Sequence, residues 1–599
     1  MRRALIPALV LALLGVAFWQ SAAVRVDETE RESPTLAADP ATGALLLDLD
    51  DDVDAEDRSR IGALLQRAIA PFDWAPTNLG ETLSESAELH RLTVPESELA
   101  DIRRLLRGDE DIEALEVERM WALPDDADSF TLESAQTADA PEADRGRFKP
   151  DDPYYKHQWH LDQIQMPDAW ARTRGADVVV AVIDTGVLGT SRGRFKQAPD
   201  LAQTSFVPGY DFVDDDDRPD DEHGHGTHVA GTIAQSTNNG LGVAGVAPAA
   251  AIMPIRVLDR RGAGRWGSVA AGIRWAADNG ADVINLSLGG GTPSSSIRNA
   301  ISHAHRKGVV VVAAAGNTGR GRVQYPAAHR FAIAVGAVRY DETLSFYSSY
   351  GRHLDVVAPG GDLRVDQNGD GLPDGVIQNT MVRGNPARHD YIGYQGTSMA
   401  APHVAGVAAL LRASGVRDPD AVERLLKSSA KTKSDTRRYG AGLIQANAAL
   451  RASQQGNAGT RTGAALGLGL LVLFGLRRRK KLGAAMAPTL AVAGLSAGAL
   501  ALVPWHLIGL GALTLPAAGL GAIVSPWLLV ALGAAIPLVG AGLVARKPAL
   551  AAGLSFGVAG VLIAEALTPN VVAAVWLGPV LVGLAAVATL IGRQTARKA

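Results

Sequence analysis

Between residues 150 and 453, apolar runs and amphipathic stretches alternate along the chain. The run at 178–183 is Val-Val-Val-Ala-Val-Ile, with no polar position. A strand buried on both faces reads this way, whereas a strand with one wet face alternates. Runs at 251–258, 282–288, 309–314 and 331–338 read as further strands. Helical stretches lie between them at 225–235, 266–279 and 295–307, and another follows at 398–413. Strand and helix in turn predict an α/β fold built on a doubly wound parallel sheet. Sites in such sheets lie beyond the carboxyl ends of the strands.

The flanks follow other patterns. Residues 24–123 predict a small α+β unit, with strands at 44–49, 88–94 and 112–123 and helices at 55–70 and 96–106. Ile61, Leu64, Leu65 and Ile69 mark one face of the first helix. Residues 124–149 are rich in Asp, Ala, Glu and Pro and carry no period, so they read as an exposed linker. At the start, Arg2 and Arg3, an apolar core at 4–18 and Ser21-Ala22-Ala23 read as an export signal over 1–23.

After a linker at 454–462, residues 463–599 predict an all-α transmembrane region. A spanning helix needs about 20 apolar residues. The apolar stretch 464–476 is followed by the basic run Arg477 to Lys481. Residues 482–545 hold no Asp, Glu, Lys or Arg, and 548–567 and 571–591 are two more apolar stretches. Basic clusters favour the cytoplasmic side, which puts two spans rather than three into 482–545, at 484–503 and 526–545. That makes five spans, with residues 24–460 outside a cell membrane.

Composition adds two constraints. A net charge of −5 gives no footing for nucleic acid. The absence of cysteine removes disulfides, so an exported domain must rely on core packing or bound metal.

The candidate chemistry sits where the sheet would end. Asp184 closes the first strand in Val-Ile-Asp-Thr-Gly; His225 opens His-Gly-Thr-His-Val-Ala-Gly; Asn317 closes Ala-Ala-Gly-Asn; Ser398 stands in Gly-Thr-Ser-Met-Ala-Ala-Pro at the head of a helix. Singly, these residues read equally as a strand end, a core histidine, a turn residue and a helix cap. Together, in the order Asp, His, Ser, they read as a nucleophile, its base and the base's orienting acid. His225 and His228 also form an HxxH pair of the metal-binding kind, although no third ligand is evident nearby.

With Asn-Leu-Ser-Leu-Gly at 285–289, these motifs make the region 150–453 resemble the subtilisin family of serine proteases, whose triad runs in this order. The resemblance implies a serine endopeptidase acting on polypeptides through an acyl-enzyme, without a catalytic metal. Ser398 would be the nucleophile, His225 the base, Asp184 the orienting acid and Asn317 the oxyanion donor. Loss of that donor in subtilisin itself costs roughly 100- to 1,000-fold in turnover. Ser287, Leu288, Gly289 and Gly316 would bind substrate. The small N-terminal unit would be a propeptide, a folding aid and inhibitor removed by self-processing within 124–149. The resemblance also implies structural calcium at Asp152, Asp200 and Asn239. A second oxygen-rich loop, Asp366-Gln-Asn368-Gly-Asp370-Gly-Leu-Pro-Asp374, follows the spacing of a calcium loop but has Ile377 where its bidentate Glu belongs. The acidic run from Asp214 to Glu222 reads as a solvated loop, with a preference for basic substrate residues as the other reading. A protease fold kept for binding, or a protease serving a membrane module, are the competing functions.

Overall fold

The computed structural model describes residues 41–50, 53–69, 81–84, 88–93, 99–123, 129–132 and 148–454. The expected export signal, the spans of 463–599 and most of the 124–149 linker lie outside them. Among the described residues no helix is long and apolar enough to cross a membrane.

The N-terminal unit is built from β1 (Ala41–Leu49), α1 (Ala55–Ile69), β2 (Glu81–Ser84), β3 (Leu89–Thr93), α2 (Leu99–Leu106) and β4 (Ile112–Ala122). Its strands are antiparallel in the order β4-β1-β3-β2. Asp54 caps α1, its carboxylate accepting from the amides of Glu56 and Asp57 at 2.8 and 2.9 Å. The two faces of β1 have different partners. Leu45, Leu47 and Leu49 pack with Ile61, Ile102 and Leu106 in the unit's own core, while Leu46 joins the larger core formed by residues 148–454.

A short strand β5 (Phe130–Thr131) interrupts the expected linker. The sequence reading made this segment exposed, but Leu132 is buried with Val243 and Ile377. The Phe130 ring covers Gly375 and Gly393, where a Cβ would meet it at 2.9 and 2.1 Å. Those glycines leave the floor on which the aromatic lies.

The larger region continues with α3 (Trp159–Gln163), α4 (Met166–Trp170), β6 (Val179–Asp184), β7 (Ser205–Phe206), β8 (Tyr210–Asp211), α5 (His225–Ala234), β9 (Ala251–Arg256), β10 (Ala263–Arg265), α6 (Trp266–Asp278), β11 (Val283–Leu286), α7 (Ser295–Arg306), β12 (Val310–Ala314), β13 (Ala332–Val338) and β14 (Val356–Pro359). After them come β15 (Val376–Val382), β16 (Asn385–Tyr394), α8 (Thr397–Ala413), α9 (Pro419–Ser429) and α10 (Thr436–Tyr439). The main sheet is parallel in the order β14-β13-β12-β11-β6-β9-β7, with β8 also on β9. Strand order reverses between β6 and β11. The chain moves outward on the β9 side first and returns to fill the other side with β11 to β14. A crevice opens at the carboxyl end of such a switch point.

Helix α8 is apolar nearly all round and buried over Thr397–Arg412, so it forms the centre of one face. It packs on α5 and across β11 to β14. The hairpin β15–β16, which the alternation of 150–453 did not predict, pairs antiparallel and backs α5.

Candidate active site

Asp184 ends β6 and is fully buried. Its Oδ1 accepts from the Thr185 amide at 2.8 Å and from His225 Nδ1 at 2.7 Å. A carboxylate only accepts, so Nδ1 carries the proton and Nε2 of a neutral ring is left as the base. Helix α5 brings His225 there because its first turn packs hard on the end of β6. A Cβ at position 226 would lie 2.2 Å from the Gly186 carbonyl oxygen, so only glycine allows this approach.

The open amides of that first turn are satisfied from outside the helix. Gly226 N donates to Thr185 Oγ1 at 2.9 Å, and Thr227 N to Asp221 Oδ2 at 2.9 Å. Asp221 also accepts from Thr185 Oγ1, from the amides of His223 and Gly224, and from Thr227 Oγ1, at 2.7–2.9 Å. The sequence reading placed Asp221 in a solvated acidic run. Asp214 and Asp217 are exposed, but Asp221 is fully buried and holds the loop to α5. An acid just ahead of a glycine–helix junction is a cap signal, and it was legible.

His228 lies on the other side of α5. Its ring stacks on Tyr394 at 4.5 Å, and Nε2 donates to the carbonyls of Val376 and Ile392 at 3.0 and 3.1 Å. The HxxH pair therefore does not share a point: His228 ties α5 to the β15–β16 hairpin. Burial drives its pKa down to about 3.

Ser398 is the second residue of α8. Thr397 before it donates both its amide and its hydroxyl to Asn317 Oδ1, at 2.9 and 2.8 Å. An amide N–H can only donate, so this pair fixes which end of the Asn317 side chain is oxygen. The Nδ2 group is left for the cavity beside Ser398. Ser287, Leu288 and Gly289 form one wall of that cavity, and Ala314, Gly316 and Asn317 another. The cavity thus brings Ser398 together with Asn317, Gly316 and Ser287, Leu288 and Gly289, and the Ser398 hydroxyl donates to the Ser287 carbonyl at 3.1 Å, while Asp184 and His225 are joined in their own contact.

The N-terminal unit reaches the same cavity. Strand β4 pairs antiparallel with β10, placing Trp121 opposite Gly264 and Ala122 opposite Ala263. Leu123 N continues the ladder to Gly262 O at 2.8 Å, and Ala122 lines the cavity mouth. Trp121 is buried against Trp266, with ring centroids 5.9 Å apart. Two glutamates of β4 cap the helices beneath. Glu116 accepts from Ser294 Oγ and from the amides of Ser295 and Ser296 at 2.6–3.0 Å, at the head of α7. Glu118 accepts from Gly267 N at 3.2 Å, at the head of α6.

Asp152, Asp200 and Asn239 also come together. Asn239 Nδ2 donates to Asp200 Oδ1 at 2.9 Å, and the amides of Asn238 and Asn239 to Asp152 at 2.8 and 3.1 Å. Burial pushes Asp152 up to about 6 and Asp200 up to about 8. A Cβ at position 242 would lie 2.3 Å from Asp200 Oδ2, so the loop closes on the carboxylate. Two buried carboxylates with raised proton affinity, beside an amide side chain, offer the oxygen-rich chemistry that a hard divalent cation such as calcium takes.

The second acidic loop is held by turn contacts of its own side chains. Asp366 accepts from the amides of Gly369 and Gly371 at 2.7 and 3.0 Å, and Asn368 from that of Asp370 at 2.9 Å. Asp370 pairs with His157 Nδ1 at 2.8 Å, and buried Asp374 accepts from Gln367 N at 2.8 Å. Its side chains serve the loop's own turns and a histidine, and burial, with the charges of Asp366 and Asp370, raises the pKa of Asp374. Among the described residues no group of three or more His, Asp or Glu side chains is arranged to hold a metal ion.

The sequence pattern of the subtilase family matches residues 175–442. Thermitase from Thermoactinomyces vulgaris is 41% identical over 293 residues, 49% of this chain and 95% of that protein. An alkaline protease from Shouchella clausii is 36% identical over 405 residues, 66% of this chain and 92% of that one. Among solved structures, fervidolysin from Fervidobacterium pennivorans, a keratinolytic enzyme related to subtilisin, is similar with a TM-score of 0.55 at 26% identity. The match covers 70% of this chain and 62% of that one.

Proposed function

This chain belongs to the subtilase family and is a serine endopeptidase, and we propose that it works through Asp184, His225 and Ser398 as an exported, membrane-tethered, self-processing precursor. The observation that carries the chemistry is the 2.7 Å bond between His225 Nδ1 and buried Asp184. That bond aims Nε2 as the base and stabilises the imidazolium once it forms. Ser398 Oγ attacks the peptide carbonyl and its proton passes to His225 Nε2. His225 then gives that proton to the departing amine, which leaves an acyl-enzyme. Water repeats the cycle to release the acid and restore the serine. Asn317 Nδ2 donates to the oxyanion, a donor held before the reaction begins.

Self-processing is supported by the path of β4. Its ladder on β10 runs as a substrate strand would and ends beside the cavity, with residues 124–149 following. The N-terminal unit blocks the non-prime side until it is cut off and leaves. Calcium is proposed at Asp152, Asp200 and Asn239, where it would neutralise two buried carboxylates. Export and tethering rest on the hydrophobic patterns of 1–23 and 463–599, which put the catalytic region outside a multi-pass anchor in the cell membrane.

The test is the full chain expressed alone with Ser398→Ala. It is expected to lack peptidase activity and to persist as a precursor that carries the N-terminal unit. Normal maturation of this variant with no other protease present would overturn the reading.

A further inference from the structure

One contact between the N-terminal unit and the catalytic region pairs buried side chains of opposite charge, where Glu116 and Glu118 meet helix heads. Strand β1 turns Leu46 and Asp48 toward the catalytic region, as the two-residue repeat of a strand requires. Leu46 enters the shared core. Asp48, two positions on, meets Arg274 of α6 with Oδ1 3.2 Å from the guanidinium, and its Oδ2 accepts from Asn299 Nδ2 of α7 at 2.9 Å. Both members of the ion pair are fully buried. Glu113, also from the N-terminal unit, lies 3.7 Å from Arg274. Position 48 sits in an otherwise leucine strand, Leu45-Leu46-Leu47-Asp48-Leu49.

A buried pair of this kind adds little net stability over an apolar pair of the same shape. Removing one partner, however, strands a charge away from water and is strongly destabilising. Its effect is therefore selective: it penalises the wrong partner more than it rewards the right one. The capping contacts of Glu116 and Glu118 use mainly backbone amides, which any helix start offers, with one hydroxyl from Ser294. The Asp48–Arg274–Asn299 contact needs particular side chains on both sides.

We infer that Arg274 and Asn299 make the α6–α7 face a receptor for a carboxylate-bearing strand, so that this catalytic region accepts an N-terminal unit with an acid at position 48 and rejects one without it. The same pair sets how long the unit stays bound once the chain between them is cut. This second consequence rests on the self-processing reading.

The test uses the full-length chain in detergent, as Asp48→Arg, Arg274→Asp and the double exchange. Cleavage is followed on a gel and the appearance of peptidase activity by assay. Each single change is expected to shorten the interval between them by about tenfold or more, the size of effect seen when one member of a buried pair is truncated. The double exchange is expected to recover most of it. Asp48→Asn keeps the shape of the site and guards against outright misfolding; it should give an intermediate interval. Single variants that release at the unchanged rate, or a double exchange no better than the worse single, would overturn the inference. If the wild-type chain is never cleaved, the self-processing reading falls instead. The receptor is then judged on the uncut chain, by whether the double exchange restores the melting temperature that the singles lose.

Discussion

Ser287 and Ser398 are bonded to each other twice: Ser287 Oγ donates to the Ser398 carbonyl at 2.8 Å, and Ser398 Oγ donates to the Ser287 carbonyl at 3.1 Å. The first bond has a cause in the sequence. Residue 402, four positions after Ser398, is Pro402, which has no N–H to complete the helical ladder. The Ser398 carbonyl is buried with α8, and Ser287 supplies the donor that the proline lacks. Ser287, expected to bind substrate, therefore also pins the turn that carries Ser398, the proposed nucleophile.

Ser287→Ala is expected to lower kcat by about 3- to 10-fold, the usual net value of one neutral hydrogen bond, with KM little changed. Steady-state kinetics on a short peptide would check this. Ser287→Thr keeps a hydroxyl and should recover part of the loss. A fall confined to KM would mean that the side chain serves binding instead.

How much of this was legible varies with the range of the forces involved. The buried strands around Val180 and Val311 and the amphipathic faces of α6 and α7 are local patterns, and the sequence displays them. The motifs at Asp184, His225, Asn317 and Ser398 are local too, since each sits at the junction of one strand or helix with a turn. What escaped depends on distant pairing. Asp48 looks like any strand-end acid until Arg274, 226 residues on, is folded against it. The β15–β16 hairpin carries polar residues such as Gln378 and Asn379 in buried positions, so its period was not read as a strand. Phe130 hides in a linker composition because its two glycine partners lie beyond position 370.

Calcium should matter most at alkaline pH. Burial raises Asp200 to about 8 and Asp152 to about 6, against ordinary values near 3.8. The folded chain then holds protons that the unfolded chain has given up, so without metal these groups lose stability as pH rises from about 4 to about 8. Calcium binds the ionised form and opposes that loss, adding about 2.7 kcal/mol at 100 times its dissociation constant. Melting in chelator should fall across this window, and the gain from calcium should be largest near pH 8. Asp200→Asn should abolish most of the gain. Identical melting curves with and without calcium at pH 8 would exclude the site.

A second titration acts in the opposite direction. His403 Nδ1 donates to the Met399 carbonyl at 2.7 Å, so its Nε2 must accept from His160 Nδ1 at 2.8 Å. Both rings are fully buried, and burial pulls His403 down to about 4 and His160 well below its usual value. The unfolded chain takes up protons below about 6.5 that the folded chain refuses, so stability is present above that pH and is lost as pH falls toward 4. His403→Gln removes one titrating group while keeping a donor for Met399. It is expected to be less stable than the wild type at pH 8 but to lose less between pH 6.5 and 4. Parallel stability curves for the two proteins would show that the pair does not set the acid limit.

The topology of the C-terminal region can be decided by one fusion. The proposed export signal would put residues 24–460 outside, and a first span would then carry Arg477 to Lys481 to the cytoplasm, where basic clusters favour staying. The stretch 482–545 is 64 residues long and uncharged, enough for two or three spans at about 1.5 Å per residue. Three would leave Arg546 and Lys547 outside, along with the final Arg593, Arg597 and Lys598. Two keep all of these inside, with an apolar loop near 504–525 at the outer surface and Trp505 and Trp527 at the interface, where indole rings settle. Five spans in all are therefore expected, and an alkaline phosphatase fused after Ala599 should be inactive while one fused near residue 455 is active. Activity at Ala599 would mean a sixth span, and the two-span division of 482–545 would be wrong.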